Sequence, residues 1–515
     1  MVKKYVLITL LLAITIYSRF INLNWDRGWG FHPDENNLWG ASRQIKLFSK
    51  IDPQFYAYGG FPIYLYSFLD SKVQARAISA LLQTAIIGLL FITGRKLNGF
   101  RTGLLAALMG IFSAGLVQAS HFLTVESLLG FFSLLLVLEL VEVCETSSQR
   151  AQFRKLHMAL AVIVLGLGIG TKISFAVFAL PVFAILLRPG LFKKAGPFVA
   201  VATVFLAIFI FILTNPFILS KFQDVRSTLK YETNVALGNL PVFYTRQFTG
   251  TVPGLFQTVH IFPFIASWLF VPIFLIGAFV ICFKEFPCRK IRRLLIISIF
   301  AALLSFIPFW AKWTRYVVQV FPALILVAGI GLSWLWEKGK IGKAVVVLTI
   351  ISFLPQFFSI IKVYVGVDNR LATAEWAAVN LPRQAKIFTE GMDLGIIPFN
   401  PVHGENITLL NFYELDEDKT GQRQILLNTL INENEYFISV SNRVYGNSLR
   451  LQNRFSASAE FYRQLFDGSL KYKKIYEAIA FSFFFLPPSS PYSPEETFQV
   501  FDHPTVMIFE RTLKH

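Results

Sequence analysis

Two adjacent carboxylates, Asp34 and Glu35, stand in the run Phe31-His32-Pro33-Asp34-Glu35, a few residues past an apolar stretch and among Trp25, Trp29 and Trp39. Aromatic residues of this kind gather where a bilayer meets water. A carboxylate held at that depth is partly desolvated, which suits it to accept a proton from a substrate hydroxyl. A solvated acidic loop would use the same residues, and Asp26 is a weaker candidate. A second acid, Glu126, sits in Ser120-His121-Phe122-Leu123-Thr124-Val125-Glu126-Ser127, a polar break between two apolar runs. An ionisable group so placed is a functional expectation. The plain alternative is an acid favoured by a helix dipole.

Isolated cations lie on the same side as these acids. Lys172 interrupts an apolar stretch, and Lys312 and Arg315 occur in Trp310-Ala311-Lys312-Trp313-Thr314-Arg315-Tyr316. Each calls for an anionic partner, for which a lipid-linked phosphate fits. Pairing with the acidic loop residues or with ordinary headgroups is the alternative. The stretch Tyr56-Ala57-Tyr58-Gly59-Gly60-Phe61-Pro62-Ile63-Tyr64-Leu65-Tyr66 cannot be a regular helix throughout, and its tyrosines offer stacking faces with polar tips of the kind that hold sugars. An interfacial aromatic belt would look the same.

The elements that must position these residues are apolar spans. Of the 515 residues, 54% are hydrophobic and only 15% charged, against about 25% charged in soluble domains. The mean hydropathy is +0.55. A single soluble core of this size is excluded, since cores stop growing at about 250–300 residues. A span needs about 20 mostly apolar residues, and eleven candidates are read near 5–23, 73–94, 102–118, 124–143, 157–171, 173–187, 197–214, 262–283, 294–310, 316–336 and 344–362. The pair after Lys155 reads either as two short helices meeting at Gly170-Thr171-Lys172 or as one kinked segment. Lys3 and Lys4 open the first span as in a signal peptide, but no small-residue cleavage site follows, so it reads as an anchor.

The net charge of +17 is concentrated in short loops: Lys3/Lys4, Arg95/Lys96/Arg101, Arg150/Arg154/Lys155, Arg188/Lys193/Lys194, Lys284/Arg289/Lys290/Arg292/Arg293 and Lys338/Lys340/Lys343. All fall on one side of an eleven-span chain. That pattern belongs to membrane orientation, and no basic stripe with interleaved aromatics supports nucleic-acid binding. It predicts a multi-pass plasma (inner) membrane protein with a cytoplasmic N-terminus and the C-terminal part outside. Cys144, Cys282 and Cys288 then lie at cytoplasmic ends, and no CxxC spacing suggests a zinc or redox site. Two long outer segments, near 22–72 and 215–260, join spans of the membrane domain 1–362; such loops are usually functional. From 363 to 515 the charges return. Strand-like runs at 385–389, 407–411, 436–441 and 505–510, with helical stretches at 373–380 and 421–432, predict one soluble α/β domain without a Gly-rich phosphate loop.

The order of these features resembles the GT-C superfamily of membrane glycosyltransferases, nearest glycosyltransferase family 39, which includes protein O-mannosyltransferases and the lipid A aminoarabinose transferase. The resemblance rests on a first span ending Arg19-Phe20, then His32-Pro33-Asp34-Glu35, Tyr58-Gly59 with Pro62, His121 with Glu126, Thr171-Lys172, and Arg315-Tyr316 followed by Pro322. Glu375-Trp376, Asn380-Leu381-Pro382, Ser441-Asn442-Arg443 and Phe501-Asp502-His503-Pro504 resemble the exported domain of bacterial members, where they are read as fold determinants. The resemblance implies a sugar moved from a polyprenyl-phosphate carrier to a lipid, glycan or protein acceptor on the outer face, with inversion. It implies Asp34 as base with Glu35 in support, Glu126 as the second acid, and Lys172 and Arg315 on the donor phosphate. His32, Tyr58 and His121 are implied at the acceptor or sugar. No cofactor is required, although a metal bridging Asp34 and Glu126, as in oligosaccharyltransferases, stays an alternative. The sequence lacks the trefoil repeat of eukaryotic O-mannosyltransferases, which puts a protein acceptor in doubt. A lipid-sugar flippase would favour internal repeats and midplane charges. A non-catalytic scaffold would need neither the acids nor the outer cations.

Overall fold

The computed structural model describes residues 2–46, 49–146, 150–187, 196–284, 289–479 and 493–512; Arg188, Lys193, Lys194 and Cys288 lie outside them. The chain divides into two compact units. One comprises Met1–Leu23, Asp34–Leu240 and Gly250–Ile360, the other Asn24–Pro33, Pro241–Thr249 and Ile361–His515.

The first unit is helical. Hydropathy places eleven spans, and a helix falls in each. On length and composition, four stretches can cross a membrane: Lys72–Asn98, Glu126–Glu145, Gln152–Thr171 and Gly339–Val365. Counting each bent pair as one span raises the number to six, and the other apolar helices are shorter. Helix length therefore supports four to six crossings among the described residues and does not establish eleven. The candidate at 102–118 breaks into Phe100–Ile111 and Ala114–Ser120, bent by 62°, and that at 262–283 belongs to Leu255–Ile265 and Phe270–Phe283, bent by 109°. One serine serves both breaks. Ser113 Oγ accepts from Leu116 N–H (3.3 Å) and donates to Ile265 O (2.8 Å), satisfying backbone groups that a broken helix would otherwise leave bare in an apolar setting. The uncertain pair after Lys155 resolves into two elements: Ala151–Thr171 ends at Lys172, and a 3₁₀ turn, Ile173–Phe178, leads into Ala179–Leu186.

Close packing between helices rests on small residues. A Cβ on Gly277 would lie 1.9 Å from Val327 O, so Phe270–Phe283 and Phe321–Trp336 meet backbone to backbone.

The second unit carries a five-stranded sheet, β1 (Ile387–Glu390), β2 (Ile407–Leu410), β3 (Tyr436–Ser439), β4 (Tyr472–Ala478) and β5 (Val506–Arg511), in the order β2-β1-β3-β5-β4. β1 is parallel to β2 and β3; β5 runs antiparallel to β3 and β4. Alternate residues feed two buried clusters: Phe388, Phe437, Met507 and Phe509 on one face, and Ile387, Ile438, Val506 and Ile508 on the other. Both faces are therefore covered, as an α/β layer arrangement requires. β4 escaped the sequence reading because Lys473, Lys474 and Glu477 break its apolar run and only Tyr472 in it is buried, and its pairing shifts register between Lys474 and Tyr476. Loop segments join this unit through specific contacts. Arg370 lies 3.8 Å from the Phe31 ring centre, and Gln247 Nε2 donates to Glu495 (2.7 Å).

Candidate active site

The helix Pro33–Gln44 begins with Pro33 and carries Asp34 and Glu35 in its first turn, where proline loses no helical hydrogen bond and acids meet the positive end of the dipole. Consecutive helical residues point about 100° apart, and the two carboxylates are used differently. Glu35 is fully buried. Arg76, from the long helix Lys72–Asn98, grips it through Nε (2.9 Å) and Nη2 (2.6 Å), and Leu123 N–H donates to it (2.6 Å). Arg76 Nη1 also donates to Leu23 O (2.9 Å). Asp34 remains partly open and pairs with Arg315. Arg315 sits on the short helix Thr314–Val318, its guanidinium 4.6 Å from the Trp313 ring centre.

Lys172 reaches this pair from the break after Ala151–Thr171. Its ammonium lies 4.7 Å from the Tyr316 ring centre and 5.8 Å from that of Tyr58. The charges that act on it are Glu126, Arg315, Asp34 and Glu232. Glu126 is the buried first residue of Glu126–Glu145.

The Tyr58-Gly59-Gly60 turn is docked by its backbone. Gly59 N–H donates to Thr171 O (2.9 Å), and Gly60 N–H to Asn215 Oδ1 (2.7 Å). A Cβ on Gly59 would stand 2.0 Å from Gly170 O, so only glycine permits this approach. The contact fixes Tyr58 beside Lys172.

The structure thus brings Asp34, Glu126, Lys172, Arg315 and Tyr58 into one charged cluster. It does not bring all the expected residues there. Glu35, expected to assist Asp34 in chemistry, is consumed by Arg76, and its support is positional. His121 is buried, with its ring nitrogens 2.8 Å from Val117 O and from Ile21 O, which makes it a tie between backbone segments. His32 lies in the second unit, its ring 4.2 Å from that of Phe501. Lys312 is buried and donates to Trp310 O (2.6 Å).

Three contributors were not singled out by sequence. Glu232, on the amphipathic helix Phe222–Leu237, interacts with Arg315, Lys172 and Asp34. Burial lifts its carboxyl above the ordinary range while the two cations oppose that lift. Its place in the long segment 215–260 was the available signal. Arg76 was readable as a charge inside an apolar span. Asn215 follows the helix Gly196–Thr214, and its side chain holds Phe211 O (2.9 Å) as well as Gly60. Among the described residues no three His, Cys, Asp or Glu side chains gather as a metal site.

A carboxylate paired with a guanidinium, beside an ammonium and flanked by tyrosines, can hold a phosphate and accept a proton at adjacent points. Comparison with known proteins bears on that chemistry. The model of the dolichyl-phosphate-mannose-protein mannosyltransferase family matches residues 63–214, a stretch that includes His121, Glu126 and Lys172 and leaves Asp34, Tyr58 and Arg315 outside. No curated protein matches the sequence significantly. The oligosaccharyltransferase of Archaeoglobus fulgidus, in complex with zinc and sulfate, is 14% identical, with 88% of this chain and 70% of that one covered at a TM-score of 0.50. The oligosaccharyltransferase AglB of Archaeoglobus fulgidus with an inhibitory peptide and a dolichol-phosphate is 12% identical over 95% and 75%, again at 0.50. ArnT from Cupriavidus metallidurans bound to undecaprenyl phosphate is 14% identical over 98% and 97%, at 0.49. The resemblance to GT-C membrane glycosyltransferases therefore holds, in sequence over 63–214 and in fold with the archaeal enzyme.

Proposed function

We propose that the chain is an inverting glycosyltransferase that takes a sugar from a polyprenyl-phosphate carrier and passes it to an acceptor hydroxyl on the outer face of the plasma membrane, with the N-terminus cytoplasmic and the C-terminal domain outside. The observation that carries this reading is the Asp34–Arg315 pair with Lys172 and Glu126 acting on it. The family model over 63–214 supports the reaction class, and the dolichol-phosphate in the archaeal AglB complex supports the donor class.

Arg315 pairs with Asp34 through Nη1, the pairing that sequence left open, while its buried Nε has no hydrogen-bond partner. A donor phosphate competes for the same guanidinium. Once Arg315 and Lys172 turn to the phosphate, the Asp34 carboxylate is freed to accept a hydrogen bond from the acceptor hydroxyl. The acceptor oxygen attacks the anomeric carbon as its proton passes to Asp34. The bond from that carbon to the phosphate oxygen breaks, and the electron pair stays on the polyprenyl phosphate, whose charge Arg315 and Lys172 stabilise. Glu126 and Glu232 restrain the cations and offer acceptors for sugar hydroxyls. Glu35 and Arg76 hold the helix that presents Asp34. The reading assigns charge stabilisation to these cations and requires no cofactor.

The test is sugar transfer from a synthetic polyprenyl-phosphate sugar by purified protein, comparing the native chain with Asp34→Asn. Loss of transfer with retained lipid-phosphate binding is expected. Undiminished transfer by the variant would remove Asp34 from its role.

A further inference from the structure

We propose that the second unit holds a binding site of its own, at the C-terminal ends of β1 and β3, for a neutral polyhydroxylated ligand, a hexopyranoside unit of a glycan. Topology marks the place. From β1 the chain goes to β2 on one side and then crosses to β3 on the other, so β1 and β3 flank the point where the winding reverses. In open α/β sheets ligands bind outside the carboxyl ends of the strands at such a point.

The residues that leave the two strands converge there. Glu390 ends β1 and accepts from Ser439 Oγ (3.0 Å) and Tyr462 Oη (2.6 Å). Asp393 accepts from Ser441 Oγ (2.6 Å), and Arg443 Nε donates to Glu496 (2.7 Å). A fully satisfied structural network would end here, and this one does not. The hydroxyl of Tyr413 is buried without a hydrogen-bond partner, in a side chain only 6% exposed. It faces the charges of Glu496, Arg443, Asp393 and Glu390. Asn442 Oδ1 is likewise buried without a partner, although its Nδ2 donates to Gln499 (3.1 Å). Buried polar groups left unpaired are costly, and two at one strand edge point to a partner that arrives from outside. Access is at the rim. Met392 is 57% exposed and held at φ +70°, a strained conformation for a side chain of its size. Asp393 and Asn442 beside it are half-buried.

The chemistry selects the ligand class. Arg443 is already committed to Glu496, and the Asp393 carboxylate acts on it as well, which disfavours phosphates and carboxylates as ligands. Tyrosine and arginine donors stand among aspartate and asparagine acceptors, a mixture that matches hydroxyl groups able to donate and accept at once. The site stands apart from the transfer reaction and does not depend on it.

The experiment titrates the purified full-length protein with methyl hexopyranosides, methyl phosphate and ethylamine, read by saturation-transfer NMR. The variants are Tyr413→Phe and Asn442→Ala. A methyl hexopyranoside is expected to bind the native chain, and Tyr413→Phe and Asn442→Ala about tenfold more weakly. Tyr413→Phe removes only an unpaired hydroxyl, so the ligand-free variant is expected to unfold at the same or a higher temperature, which separates lost binding from lost fold. The proposal is overturned if no hexopyranoside binds, if both variants bind as the native chain does, or if methyl phosphate or ethylamine proves the preferred ligand.

Discussion

The division of labour between the two first-turn acids can be tested at Arg76. Replacing it by Met leaves the Glu35 carboxylate buried without its counter-charge. Glu35 loses two hydrogen bonds, of 2.9 and 2.6 Å, and keeps only Leu123 N–H. Both side chains are at most 1% exposed, so solvent cannot substitute. Breaking such a pair by removing one partner costs about 3–5 kcal/mol. Asp34→Asn touches a pair with side chains 21% and 27% exposed, where the change should stay within about 1 kcal/mol. The chain's own cysteines supply the assay, since Cys144 and Cys282 lie on helices of the first unit and Cys144 is buried there. A thiol-reactive fluorophore followed on heating therefore reports unfolding of that unit. Arg76→Met is expected to unfold well below the native chain and Asp34→Asn close to it. The double variant Glu35→Gln/Arg76→Met is expected to recover much of the loss, since no charge is then stranded. Arg76→Met unfolding with the native chain, or the double variant losing the sum of both single losses, would refute the positional role of Glu35.

Gly59→Ala forces a Cβ to 2.0 Å from Gly170 O; the docked turn should separate, and transfer should fall by an order of magnitude or more with little change in unfolding temperature, measured by the transfer assay beside the thiol assay. Glu232→Gln removes a negative charge that acts on Arg315 and Lys172, so a short-chain polyprenyl phosphate should bind severalfold more tightly, and the gain should shrink in high salt. Unaltered affinity at low salt would place Glu232 outside the site. In the second unit, burial raises the Glu390 carboxyl from 4.5 to about 8. The folded state then holds a proton that the unfolded state has released, so stability is full below about 4.5 and declines as pH rises toward about 8. Hydrogen exchange of the β1 and β3 amides should quicken across that window, and Glu390→Gln should flatten the dependence.

Much of this was legible in sequence because hydropathy and alternation are local. Each apolar span holds a helix, and four of the five strands fall on the strand-like runs. Asp34, Glu126, Lys172 and Arg315 were readable because charges at the edge of apolar runs are conspicuous. What escaped depends on partners far along the chain. Glu35 looks the equal of Asp34 until Arg76 is seen to face it, and His121 looks functional until both ring nitrogens meet backbone carbonyls. Gly59 gives no local hint of its contact with Gly170. Tyr413 gives no local sign of its role, and only the carboxylates contributed by Glu390 and by Glu496 show what its hydroxyl faces.

The competition for Arg315 is the step on which the transfer mechanism turns, and lipid-phosphate binding tests it most directly. Equilibrium binding of a short-chain polyprenyl phosphate should be measured for the native chain, Arg315→Gln and Asp34→Asn. Arg315→Gln should bind about tenfold or more weakly, having lost a charge-assisted contact. Asp34→Asn should bind more tightly than the native chain, because the phosphate no longer displaces a carboxylate. Unchanged binding by Arg315→Gln, or weaker binding by Asp34→Asn, would contradict it.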